Sequence, residues 1–325
     1  MPRTQKQGYS PLTPKLMMQL AAPHTWPASI FPVLVALSCA MATGGVGSSG
    51  FSLGGMAGLA SSVSGVMTCV LLAISVLMQS AVNTINDYFD YVKGTDTVEN
   101  QQDPTDAVLV YNDVNPKAVL AFAMALIVAA FLLGIYVIFV AGWIPLVIAL
   151  VGVLVIFLYS GGRTPISYLP IGELVSGVTM GGLITLASYQ ALAMRIDALI
   201  LLVSLPVILG IALIMATNNT CDIDKDIEAK RRTLPVMLGH AKSVKLYHAL
   251  VYAWMVSTCV LVLLFFTRGW VVLPFMLLSV HPLGRALLAN PLTPQSRGAA
   301  FGQVTSMNIA MGAFYCAAIL ASCIV

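Results

Sequence analysis

The chain reads as a succession of long apolar runs broken by short polar stretches. About twenty predominantly apolar residues in a row are what an α-helix needs to cross the hydrocarbon of a bilayer, and such runs recur along the whole length. The pattern predicts nine membrane-spanning helices, near 23–43, 63–85, 117–139, 142–160, 171–193, 197–218, 244–266, 269–289 and 301–323. Pro27 and Pro32 interrupt the first, an interruption that lipid-buried helices tolerate better than soluble ones. The alternating segments of about ten residues that mark an outer-membrane barrel are not visible. The expected fold class is therefore all-α, a polytopic helical membrane bundle. Residues 1–22, opening "MPRTQKQGYSPLTPK", are read as a basic cytoplasmic tail, and 23–325 as one transmembrane domain. "SCAMATGG" imitates the small-residue site of a cleaved signal peptide, but a retained first span is the preferred reading.

Composition sharpens this picture. The chain is 58% hydrophobic and 9% charged, whereas soluble domains carry roughly 25% charged residues. With the N-terminus cytoplasmic, all but two of the 16 Lys and Arg fall on the inner face, the exceptions being Arg195 and Arg268. That asymmetry sets orientation in a cell membrane. Of the 13 Asp and Glu, only Asp197 falls outside. Acids contribute little to topology, so their gathering on the inner face asks for another cause. The six cysteines and four histidines are scattered and give no zinc-ligand spacing.

Two of the inner helix ends carry the chemistry. In "NTINDYFDYVKGTD", Asn83, Asn86 and Asp90 fall at i, i+3 and i+7, one stripe of a helix. Asp87 flanks that stripe, and Gly94 can end the helix and let Asp96 fold back. In "ATNNTCDIDKDIEAKRRTLPVMLG", Asn218, Asp222 and Asp226 again make one stripe, while Asp224 points elsewhere and is read as solvated. Carboxylates stacked a turn apart repel one another unless a cation lies between them. Mg²⁺ suits the case, because it takes one or two carboxylates and completes its shell with water and phosphate oxygens. Two such ends facing each other across a central cavity open to the cytoplasmic side could hold Mg²⁺ and grip a diphosphate. Arg231 and Arg232 could pair with diphosphate oxygens or serve only as topology anchors. Tyr159 and Arg163, in "LYSGGRTPISYLPIGE", could join the site, although Tyr159 could equally be an interfacial aromatic. An ion-coupled transporter is the competing class, but its sites lie more naturally near the bilayer midplane.

Taken together, these motifs resemble the UbiA superfamily of intramembrane prenyltransferases. Asn86 to Asp90 is similar to its NDxxD signature, Asp222 to Asp226 to its DxxxD, and Tyr159 to Arg163 to its YxxxK element with Arg in place of Lys. The menaquinone branch is similar in more detail: "NDYxDxxKGxDT" from Asn86 to Thr97, "NNxxDxxxD" with "RTL" and "LG" from Asn218 to Gly239, and a "GEL" after the tyrosine element. The sequence departs from that branch at Ala22, where Arg commonly stands, and in the acidic stretch "VENQQDPTDAV".

The resemblance implies transfer of a polyprenyl chain from polyprenyl diphosphate to a small aromatic acceptor. Within the branch that acceptor is 1,4-dihydroxy-2-naphthoate; 4-hydroxybenzoate, homogentisate or a glycerol phosphate is the runner-up. It implies Mg²⁺ as cofactor, bound by Asp87, Asp90, Asp96, Asp222 and Asp226. Asp90, Asp222, Asp226, Arg163 and Tyr159 would carry the chemistry. Asn83, Asn86, Asn218, Asn219, Lys93, Arg231 and Arg232 would surround the diphosphate or its metal. Membrane lipid would be the remaining partner, and no nucleic acid is expected.

Overall fold

The computed structural model describes residues 9–43, 63–94, 107–161 and 164–323. Among these residues the chain is helical, and one isolated bridge between Ser10 and Val114 is the only extended pairing. The helices are α1 (Pro14–Ala21), α2 (Pro27–Ala42), α3 (Gly65–Lys93), α4 (Val108–Asn112), α5 (Pro116–Ala141), α6 (Ile144–Ser160), α7 (Gly172–Ser176), α8 (Ile184–Ala193), α9 (Leu199–Val203), α10 (Leu205–Cys221), α11 (Ile223–Glu228), α12 (Leu234–Leu238), α13 (His240–Phe265), α14 (Leu273–Ala289) and α15 (Arg297–Ala321). A π-helical stretch, Gly177–Leu183, makes α7 and α8 one continuous rod. Proline stands in the first turn of α1, α2, α5, α6, α10, α12 and α14, where its missing N–H has no helical partner to lose.

Five helices among the described residues are long and apolar enough to cross a membrane: 65–93, 116–141, 240–265, 267–289 and 294–321. A sixth arises if the pair 14–25 and 27–42, bent by 54°, counts as one span. α6 and α10 are apolar but only 17 residues each. The expected spans 171–193 and 197–218 are composite, the first through the π stretch and the second through a break at Ser204 between α9 and α10. Of the expected polar tail, residues 14–21 form α1, capped by Thr13, whose hydroxyl accepts from the Leu16 N–H.

Following neighbours in space, the helices close into a ring: α2, α3, α5, α6, the α7–α8 rod, α10, α13, α14, α15 and back to α2. Contacts of α2 with α8 and of α10 with α15 cross its middle. The outward faces are apolar, with Phe139 85% and Leu278 75% exposed, as an environment of lipid rather than water requires. The inner seams need small residues. A Cβ on Gly181 would lie 2.7 Å from the backbone of Ile208, so the rod and α10 meet there with no room for a side chain.

A second, smaller apolar cluster sits at the end of α3. Leu20 of α1, Val108 and Leu109 of α4, Val114 and Val119 pack together, with Tyr88 and Tyr91 of α3 against them. One face of that helix end is thereby committed to packing. The opposite polar residues are left for other partners.

Candidate active site

α3 continues without a break through Asn86, Asp87 and Asp90 to Lys93. Gly94 stops it at φ 71°, and its N–H returns to the carbonyls of Asp90 and Tyr91. Only a residue without a Cβ adopts that backbone at no steric cost. α10 ends differently. Asp222 leaves helical geometry, and α11 restarts one residue later. The Asp226 N–H still donates to the Asp222 carbonyl at 2.8 Å, so the two acids remain a turn apart. Asp226 is buried and Asp224 exposed. Beyond α11 the basic run folds back: the Arg231 N–H donates to the Asp226 carbonyl and the Arg232 N–H to the Tyr168 carbonyl, both at 2.8 Å.

The two helix ends meet at one guanidinium. Arg231 Nη2 donates to Asp90 Oδ1 at 2.8 Å, and its Nη1 lies 3.5 Å from Asp226 Oδ1. The Tyr168 ring lies 5.0 Å from Arg231 Cζ. Thr233 Oγ1 donates to the second oxygen of Asp226 at 3.0 Å. Arg297, at the start of α15, donates from Nε to Asp222 Oδ2 at 3.1 Å. Burial pushes the Asp226 carboxyl up to about 6, even though Arg231 and Thr233 oppose the shift. Burial also works against the charge of Arg231, but Asp90 and Asp226 outweigh it, and its pKa is raised. The arginine thus stays charged while the buried acid is only partly compensated.

The remaining residues divide by partner. Lys93 Nζ donates to the Ser160 carbonyl at 2.7 Å and stands 5.3 Å from the Phe89 ring and 5.4 Å from that of Tyr168. Ser160 Oγ donates to Asn86 Oδ1, which ties α3 to the end of α6. Asn219 Nδ2 donates to Glu173 Oε1 of α7 at 2.8 Å. The Tyr159 hydroxyl lies 3.4 Å from where a Cβ on Gly172 would stand, next in the chain to Glu173. Asn218 Oδ1, Glu173 Oε2 and Arg231 Nε are buried without a hydrogen-bond partner among the described residues. Asn83 is not brought in: its amide donates to the Ala21 carbonyl at 3.0 Å and Thr25 Oγ1 at 2.8 Å, tying α3 to the N-terminal helix. Arg232 is exposed, and Asp87 is half-buried. Arg163 and Asp96 lie outside the described residues.

Ser160, Tyr168, Glu173, Thr233 and Arg297 were not singled out as site residues in the sequence. Arg297 counted there only as an inner-face cation, and nothing local joins it to Asp222, 75 residues away. Glu173 sits within the "GEL" pattern, the one signal that could have raised it.

Among the described residues, no group of three or more His, Cys, Asp and Glu side chains is gathered closely enough to hold a metal ion. Arginines stand beside the carboxylates instead. The donor chemistry nevertheless fits a hard divalent cation. The acids and the orphaned Asn218 amide offer oxygen atoms, which Mg²⁺ prefers.

The described helices thus form a ring whose acidic helix ends are crossed by arginines. The UbiA prenyltransferase family matches residues 29–312. The chain belongs to that family and is a prenyltransferase. It is 32% identical to a 1,4-dihydroxy-2-naphthoate octaprenyltransferase of Bacillus subtilis, over 75% of this chain and 73% of that one. It is 30% identical to an enzyme of the same description from Mycobacterium tuberculosis, over 70% and 77% respectively. A UbiA homolog from Archaeoglobus fulgidus, solved bound to DMAPP and Mg²⁺, shares the fold with a TM-score of 0.61 and 12% identity, covering 93% of this chain and 99% of that one. Family membership makes this an enzyme of a membrane family and sets the transporter reading aside.

Proposed function

We propose that this protein transfers a polyprenyl chain from polyprenyl diphosphate to 1,4-dihydroxy-2-naphthoate. The observation that carries the reading is the shared guanidinium of Arg231, which draws Asp90 and Asp226 to one point. The acceptor is supported by the naphthoate enzymes at 32% and 30% identity. Mg²⁺ is supported by the archaeal homolog bound to it and by the oxygen donors present here.

Asp87, Asp90, Asp222 and Asp226 would hold the ion, with Asp96 as a further ligand. When bound, Mg²⁺ supplies positive charge that stabilises the leaving diphosphate. Arg231 and Lys93, with Arg163, bind the remaining phosphate oxygens, Arg by two parallel hydrogen bonds. Phe89 and Tyr168, already stacked against Lys93, offer ring faces to positive charge on the allylic carbon. Water must be kept from that carbon, which it would otherwise quench. Residues 23–325 act as one domain of nine spans, its cavity opening to the cytoplasm of a cell membrane. Cysteines introduced at Arg195 and Arg268 should then label from outside intact cells, and one at Lys230 should not; the reverse pattern would invert the topology.

The acceptor is tested by giving purified protein a polyprenyl diphosphate and a panel of aromatic acceptors and identifying products by mass. Prenylated, decarboxylated naphthoate is expected. Product from 4-hydroxybenzoate or homogentisate alone would overturn the assignment.

A further inference from the structure

Glu173 is a carboxylate that the folded chain only half uses. It is 7% exposed, in the first turn of α7. Its Oε1 accepts from Asn219 at 2.8 Å, while Oε2 is buried with no hydrogen-bond donor among the described residues. Leaving a buried acceptor unpaired costs free energy, more so for a charged group, and native structures rarely tolerate it without a reason. The neighbourhood suggests the reason. Asn219 is on α10 three residues before Asp222, and the Tyr159 hydroxyl lies 3.4 Å from where a Cβ on Gly172 would stand. Tyr159 therefore lies against the first turn of α7, the turn that carries Glu173.

We propose that Glu173 Oε2 accepts a hydrogen bond from the hydroxyl group of the aromatic acceptor, making Glu173 a specificity-determining residue for hydroxyaromatic substrates. The inference rests on the prenyl-transfer reading above. A carboxylate with one oxygen already held by Asn219 is oriented before the ligand arrives, so little ordering remains to oppose binding. A site built to receive an O–H rejects the analogue that lacks it, because its own polar group is then left unpaired.

The substitution E173Q gives a sharp test. Gln can keep the Asn219 bond through its carbonyl oxygen, and its amide nitrogen then replaces Oε2. The group facing the ligand changes from an acceptor to a donor. The probes are a hydroxynaphthoate and its O-methyl ether, with affinity measured for the full-length protein in detergent. Wild type should favour the hydroxyl compound by about 10- to 100-fold, the range of a hydrogen bond to a charged group. E173Q should erase that preference, since hydroxyl and ether oxygens both accept. E173D, which keeps the carboxylate, should retain part of it. Equal affinities in wild type, or an unchanged preference in E173Q, would overturn the inference. If E173Q does not fold, loss of preference in E173A supports the proposal and an undiminished preference there overturns it. Turnover separates this inference from the reading beneath it. Good turnover with no preference for hydroxyl over ether defeats only the role of Glu173. A preference that Glu173 governs, without turnover of any acceptor, defeats the prenyl-transfer reading instead.

Discussion

Arg231 occupies a position that no single helix could create. It follows α11, yet its guanidinium reaches Asp90 at the far end of α3 and Asp226 one turn behind it. Arg231→Ala leaves Asp226, 3% exposed, without its arginine. Removing one partner of a buried pair costs about 3–5 kcal/mol, here reduced because burial already favours the neutral acid. The same variant should lower turnover by about 10²–10³-fold, the loss typical of one preorganised group facing developing charge. Arg231→Lys should recover stability more than rate, because a point charge cannot reproduce the two-pronged contact. Asp224→Asn, on the exposed side of α11, should leave turnover near wild type. Steady-state kinetics with a thermal melt separates these effects, and a slow but stable Asp224→Asn would contradict the helical phasing. The stripes that place Asp90 and Asp226 follow from local spacing and were legible in the sequence. Asn83 lies on the same stripe but is spent on α1, because helical periodicity gives a direction without giving what lies there.

At the scale of elements, sequence and structure part where helices are assembled from pieces. The apolar run at 171–193 predicts one span, but its glycines permit a π stretch that brings the rod against Ile208. Polar Gln79, Asn83 and Thr84 in the C-terminal half of α3 hold the N-terminal segment, so part of a predicted tail becomes the first helix of a bent pair. Apolar runs report burial in lipid or protein alike, and neither breaks nor bends alter hydropathy. Gly181→Ala should therefore be costly despite its small size. Its Cβ would meet backbone, not a movable side chain, and overpacking of this kind costs about 1–3 kcal/mol. A lower melting temperature in detergent checks this; an unchanged one would show that the rod and α10 can separate freely.

In the whole molecule, the ring of helices brings together parts of the sequence that lie far apart. α3, α6, α7, α10, α11 and α15 each place at least one polar side chain at the same end. The motifs made the two acidic ends visible. The arginine from α15 and the glutamate from α7 became visible only once the ring closed. The proposed joint action of the acids of α3 and α10–α11 on one diphosphate through Mg²⁺ underlies the whole reaction. It is tested most directly by following polyprenyl diphosphate consumption by purified protein given 1,4-dihydroxy-2-naphthoate, with and without Mg²⁺, in wild type, Asp90→Ala and Asp226→Ala. Metal-dependent turnover in wild type that is lost in both variants, each still folded, is the predicted result. Metal-independent turnover, or wild-type rates in either variant, would contradict it.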